Sequence, residues 1–172
     1  MSEPQSLHVG FDQRSGEMMV YGGTLVGLFL LSLALTRGEP ALALAGLAAA
    51  AVAYYHFPLI RKSRPQISMT RDGLSLYGLG TLPWKAIDDF RIVDKAVRSI
   101  RNAELTVHTR ETIEAAVSSE DMLPTAERFM YSAWRHSGPN AVTVKLEPLA
   151  ASPETIAAAI QAFRSAYGTP SA

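Results

Sequence analysis

The chain has 172 residues, with 16 Lys and Arg balanced by 16 Asp and Glu and no cysteine. That length suits one ordinary domain, or a small domain with a membrane anchor. The charge balance removes the strongly basic signature of a nucleic-acid binder, and the missing thiols exclude disulfides, thiolate catalysis and cysteine metal sites.

Residues 1–17 read as a short cytoplasmic N-terminal segment. Glu3, Asp12 and Glu17 outnumber Arg14 there, so the segment lacks the positive start of a secretory signal. From Met18 to Ile60 the only formal charges are Arg37 and Glu39, whereas Arg61 to Ala172 carry 14 Lys and Arg against 12 Asp and Glu. The first stretch is lipid-like in composition and the second soluble-like.

Two apolar runs make up residues 18–60. "MMVYGGTLVGLFLLSLALT" is 19 residues long and "ALALAGLAAAAVAYYHFPLI" is 20. A hydrocarbon core of about 30 Å takes about 20 helical residues. Neither run has the polar face of a soluble helix, so a transmembrane hairpin is expected; the competing reading is a buried soluble hairpin. Between the runs, Gly38 suits the end of one helix and Pro40 the start of the next. Arg61, Lys62 and Arg64 follow the second run and Arg14 precedes the first, against Arg37 in the turn. Positive-inside bias then places both termini in the cytoplasm of a multi-pass inner-membrane protein, with Tyr54, Tyr55, His56 and Phe57 at the inner interface. Gly23 and Gly27 form a G-x-x-x-G pair, with Gly46 and Ala50, or Ala45, Ala49 and Ala53, as small partners that let backbones approach.

After residue 60 the apolar period changes to two. "QISMT", "GLSLYG", "FRIV", "ELTVHT" and "AVTVKLE" read as half-buried antiparallel strands. Asp72-Gly73 is a turn signal, and Arg101-Asn102-Ala103-Glu104 is expected to turn between two further strands. A helix is expected after Pro124, carrying Ala126, Phe129, Met130 and Ala133 and stopping at Gly138-Pro139. A last helix starts at Ser152, with Pro153 at its first position and an apolar stripe of Ile156, Ile160, Phe163 and Tyr167. Trp84, beside Leu82 and Ile87, is expected in the core.

The succession of a helical hairpin, a basic juxtamembrane segment, a strand, Asp72-Gly73, a strand, "LGTLPWKAI" with Pro83, Trp84 and Ile87, and a closing helix from Ser152 resembles small bacterial two-helix membrane proteins with a cytoplasmic pleckstrin-homology-like (PH-like) domain. The resemblance spans about residues 15–168. It implies an α+β membrane protein in which residues 61–172 form a bent antiparallel sheet or partial barrel closed by the last helix, mostly in members without a known activity. This chain differs in having Lys85 and Ala86 after the tryptophan, where an acidic residue is usual.

No P-loop, nucleophile elbow, dinucleotide fingerprint or metal-binding helix motif occurs. His8, His56, His108 and His136 are scattered, and Asp88-Asp89, taken as a solvated turn, would point to opposite faces of a strand unless a bulge intervened. The expectation is therefore no catalytic activity, no cofactor and no metal. Arg61, Lys62 and Arg64 are candidates for anionic headgroups at the inner leaflet, and Arg91, Lys95, Arg98 and Arg101 extend that basic half or pair with nearby acids. The function expected is that of a membrane-anchored interaction module: an adaptor, assembly factor or accessory subunit that meets membrane lipid and a membrane-protein partner or a second copy of itself. The alternative is a sensor of anionic lipid headgroups.

Overall fold

The computed structural model describes residues 4–12, 16–60, 65–97, 100–119 and 127–168, with the backbone alone described at 94–97, 100–102 and 128. Its architecture is α+β: two apolar helices near the N-terminus, two antiparallel sheets and a C-terminal helix. The chain divides into two compact units. One holds residues 1–10, 63–123 and 133–172; the other holds 11–62 and 124–132.

In the helical unit, a π-helical turn over Met18–Gly22 runs into α1, Gly23–Arg37, which is followed by α2, Pro40–His56, and a 3-10 turn, Phe57–Ile60. The chain reverses as its turn residues dictate. Gly38 adopts the left-handed conformation with φ 68° and donates its N–H to the Ala34 carbonyl at 2.8 Å, while Pro40 opens α2. A side chain at such a φ is disfavoured, which is why glycine stands there.

The sheet unit begins before the hairpin in sequence. Strand β1, Leu7–Val9, pairs antiparallel with β2, Ile67–Thr70, in the register Leu7 to Met69 and Val9 to Ile67. Strands β3, Gly73–Leu76, and β4, Gly80–Leu82, complete a four-stranded meander. The turn at Arg71-Asp72 falls where Asp72-Gly73 predicts, with Thr70 facing Gly73. The second sheet has the order β5-β6-β8-β7, with β5 over Ile87–Val97, β6 over Ile100–Thr109, β7 over Trp134–Gly138 and β8 over Ala141–Lys145. A short helix α3, Ile113–Ala116, follows β6, and α4, Pro153–Tyr167, closes the unit.

Period-two patterning explains the core. Ile67, Met69, Leu74, Leu76 and Leu82 of the first sheet, Leu105, Val107, Val142 and Val144 of the second, and Ile156, Ile160 and Phe163 of α4 are all buried. Burying apolar surface is the dominant favourable term in folding, and each strand delivers one face to it. Thr143 is buried as well, although it alternates with the valines; its hydroxyl lies 3.3 Å from that of Thr106 on the paired strand, so the polar atom is not stranded. Helix α4 starts as its sequence predicts, with the Ser152 hydroxyl accepting the Thr155 N–H at 3.2 Å.

Three sequence expectations are corrected. Residues Arg101 to Glu104 lie inside β6, not in a turn: β5 and β6 are already paired at Val97 and Ile100, before the expected turn begins. The helix expected to reach Gly138 is absent over its described part. Ala126 lies outside the described residues, Glu127–Phe129 is one 3-10 turn, and Trp134–Gly138 is a strand. Asp88 and Asp89 belong to β5, at a register shift between Ile87 and Asp89.

Candidate functional site: the apolar hairpin

Hydrophobic side chains are distributed differently in the two units. The sheet unit buries most of its large apolar side chains, whereas Met18, Leu25, Leu28, Phe29, Leu35 and Leu44 of the hairpin are all exposed. The continuous helices Met18–Arg37 and Pro40–Ile60, 20 and 21 residues long, are long and apolar enough to cross a membrane, with 17% of each apolar window buried. An exposed apolar surface of this extent on an isolated chain marks a contact with lipid or another protein.

The inner faces of the two helices are made of small residues. A Cβ on Gly27 would lie 3.1 Å from the Gly46 carbonyl oxygen and 3.3 Å from the Ala50 nitrogen; one on Gly46 would lie 2.8 Å from the Leu31 Cγ and 3.0 Å from the Gly27 carbonyl oxygen. Gly23 approaches the Ala49 carbonyl and the Ala53 methyl, each at 3.2 Å from its missing Cβ. The structure thus brings Gly23, Gly27, Gly46 and Ala50 together within one hairpin. Of the alternative partners, Ala53 is buried while Ala45 is exposed. Beside this seam lies a shallow apolar groove of about 270 Å³, lined by Val20, Thr24, Leu28, Leu31, Tyr54 and Phe57 among others. Polar atoms within the helices bond back to their own backbone: the Thr24 hydroxyl donates to the Val20 carbonyl at 2.7 Å and that of Thr36 to the Leu33 carbonyl at 3.0 Å.

At the end of α2 an aromatic cluster forms that sequence spacing does not announce. The Tyr131 ring lies 6.2 Å from both Tyr55 and His56, edge-on to the first and stacked on the second, and Phe11 meets Tyr131 edge-on at 5.8 Å. The Tyr131 N–H donates to the Tyr55 carbonyl at 2.9 Å. His56 itself bonds the Val52 carbonyl through Nδ1 at 2.9 Å. The signal in the sequence is the aromatic density of "RFMYSAW", which helical spacing alone does not distinguish from a core stripe.

The headgroup candidates Arg61, Lys62 and Arg64 lie outside the described residues, as does Arg98; Arg91 is exposed on β5. Both aspartates of the β5 bulge are exposed. Arg164 of α4 donates to the Asp88 carbonyl at 2.5 Å and stands 3.9 Å from the Asp89 carboxylate, a structural tie between helix and strand. His8 contacts the Ser68 hydroxyl at 3.0 Å, and His136 stacks edge-on against Trp134 at 5.3 Å. Among the described residues no group of three His, Asp or Glu is placed to hold a metal ion.

No family model matches the sequence, and searches of curated proteins and of solved structures find no significant match.

Proposed function

We propose that the chain is a membrane-anchored interaction module of the bacterial inner membrane, in which the hairpin crosses the bilayer and a PH-like sheet unit engages a protein partner in the cytoplasm. The observation that carries the reading is the contrast in burial: the hairpin exposes Leu25, Leu28, Phe29, Leu35 and Leu44 along helices of spanning length, while the sheet unit buries its own core. Lipid is the solvent in which that exposure has no cost, and the back-bonded hydroxyls of Thr24 and Thr36 suit a medium where polar groups need internal partners.

Strand pairing supports a specific topology. Strand β1 precedes the hairpin and β2 follows it, and the two are hydrogen-bonded neighbours. Flanks that share a sheet lie on one side of the membrane, which requires an even number of crossings. Arginine asymmetry across the two flanks makes that side the cytoplasm. Two four-stranded antiparallel sheets followed by a helix that stacks Phe163 on Trp84 are compatible with a PH-like domain.

Reporter fusions at Gly38 and at Ala172 test the topology: they are expected to report opposite sides, and cytoplasmic signals from both would remove the hairpin from the membrane. Affinity purification of the full chain in mild detergent tests the role. Recovery of a membrane-protein subunit in stable proportion is expected. Recovery of the chain alone, together with binding to phosphatidylglycerol vesicles that weakens as salt rises, would replace it with headgroup sensing.

A further inference from the structure

We propose that residues 127–131 form an interfacial anchor, in which the ring of Phe129 inserts into the lipid headgroup layer beside the end of α2; this rests on the reading that the hairpin crosses a bilayer. The described residues 127–132 belong to the helical unit although about seventy positions separate them from α2 in the chain. Their hold on that helix is specific. The last four carbonyls of an α-helix lack intrahelical partners, and one of them, that of Tyr55, accepts the Tyr131 N–H at 2.9 Å. The Tyr131 ring is fixed between Tyr55, His56 and Phe11. Two residues earlier, in the 3-10 turn Glu127–Phe129, the Phe129 side chain is 77% exposed.

Tyr54, Tyr55 and Phe57, at the same end of α2, are exposed too. Aromatic rings at the end of a span settle in the headgroup layer, where an apolar body and nearby polar atoms are both accommodated. A loop tied to that end by its backbone and by Tyr131 presents Phe129 at the same level. The occupant of the Phe129 surface is therefore the lipid interface itself, because the tie that positions the ring is made to the membrane helix.

The cysteine-free chain permits a single label. Phe129→Cys and Leu28→Cys variants of the full chain would carry a nitroxide in phosphatidylcholine vesicles containing a minority of phosphatidylglycerol, at low protein-to-lipid ratio. Power saturation with oxygen and a water-soluble nickel complex reads depth. The Leu28 label is expected deep in the hydrocarbon, and the Phe129 label in the headgroup layer, where access to nickel is reduced several-fold relative to a free aqueous nitroxide. Adding Tyr131→Ala, which removes the ring contacts with Tyr55, His56 and Phe11 but keeps the backbone N–H, should shift the Phe129 label toward aqueous values while leaving the Leu28 label deep; Tyr131→Phe, which keeps the ring as well, should leave both in place. A deep Leu28 label with an aqueous Phe129 label overturns the anchor and spares the membrane reading. An aqueous Leu28 label overturns both. Spin–spin broadening at position 129 would assign the ring to a second copy of the chain, and persistence of its depth after Tyr131→Ala would remove the tie; either result overturns the proposal.

Discussion

Trp84 illustrates how much one side chain fixes. Its indole is 2% exposed, donates Nε1–H to the Thr70 carbonyl at 2.8 Å and lies parallel to the Phe163 ring at a centroid separation of 5.5 Å. One residue thereby joins the end of β2 to the inner face of α4. Trp84→Ala removes the ring, the stack and the hydrogen bond together, and truncation of a buried tryptophan commonly costs about 3–5 kcal/mol. Thermal unfolding of the full chain in detergent, followed by near-ultraviolet circular dichroism, should show the sheet unit melting well below the parent. An unchanged midpoint with lost partner binding would instead mark Trp84 as a contact residue. Gly80 makes a second residue-scale case. Its φ is 118° and a Cβ would run into the Ser119 carbonyl, while the Thr81 N–H donates to that same carbonyl at 3.1 Å. Gly80→Ala should destabilise the same unit by about 1–3 kcal/mol through backbone strain, measured in the same melt. The tryptophan's burial was legible from its apolar neighbours Leu82 and Ile87, whereas the close approach of residues 117–119 to Gly80 depends on a tertiary contact that local sequence does not encode.

Elements were legible where a period ran for four or more residues. The runs 66–70, 73–78, 90–93, 104–109 and 141–147 each contain or lie within a strand, three of them extending one or two residues beyond the strand's end, because alternation over four or more residues favours an extended chain with two distinct faces. Three-residue β1 and β4 are too short for alternation to register, and each is a strand only because a longer neighbour supplies its partners. Strand β7, "WRHSG", is polar at its centre because it is an edge strand, with Arg135 and His136 exposed; helical spacing of Phe129, Met130 and Ala133 outweighed it. Turn propensity at Asn102 likewise lost to the ladder, since Ala103 is buried and its carbonyl accepts the Leu146 N–H at 2.9 Å. In the hairpin, Gly23, Gly27 and Gly46 approach the opposite helix closely, whereas Ala45, an alternative named from sequence, is exposed. Gly46→Val places methyl groups against the Leu31 side chain and the Gly27 carbonyl, and overpacking of this kind costs about 1–3 kcal/mol. Denaturant unfolding in micelles should show lower hairpin stability for Gly46→Val and little change for Ala45→Val, whose position is exposed. A loss for Ala45→Val with none for Gly46→Val would mean that helix propensity, which valine lowers relative to alanine and raises relative to glycine, sets the response and packing does not.

At the scale of the whole molecule, the pairing of β1 with β2 would link the number of crossings in the proposed membrane topology to the folding of the sheet. Residues Leu7, His8 and Val9 face Met69, Ser68 and Ile67, so chain on both sides of the hairpin enters one hydrogen-bonded ladder. The same end of the first sheet carries further ties: the Gln66 N–H donates to the Val9 carbonyl and the Ala150 N–H to that of Gly10, at 2.8 and 3.0 Å. Exchange of residues 18–60 for an unrelated two-span hairpin of the same orientation preserves this geometry, and the sheet unit of that chimera should keep the protease resistance of the parent. Exchange for a single span places β1 and β2 on opposite sides of the bilayer. That variant loses the Leu7 to Val9 strand and leaves Ile67 and Met69, both fully buried in the parent, open along one edge. It should be cleaved faster by added protease in inverted vesicles, at sites in the first sheet. Equal resistance of the one-span and two-span chimeras would show that β1 is dispensable and that strand pairing does not dictate the topology. Co-purification from the two-span chimera adds a separate readout. Partner recovery equal to the parent's would place recognition in the sheet unit, whereas loss of the partner from a chimera that still folds and localises would place it on the outer surface of the hairpin.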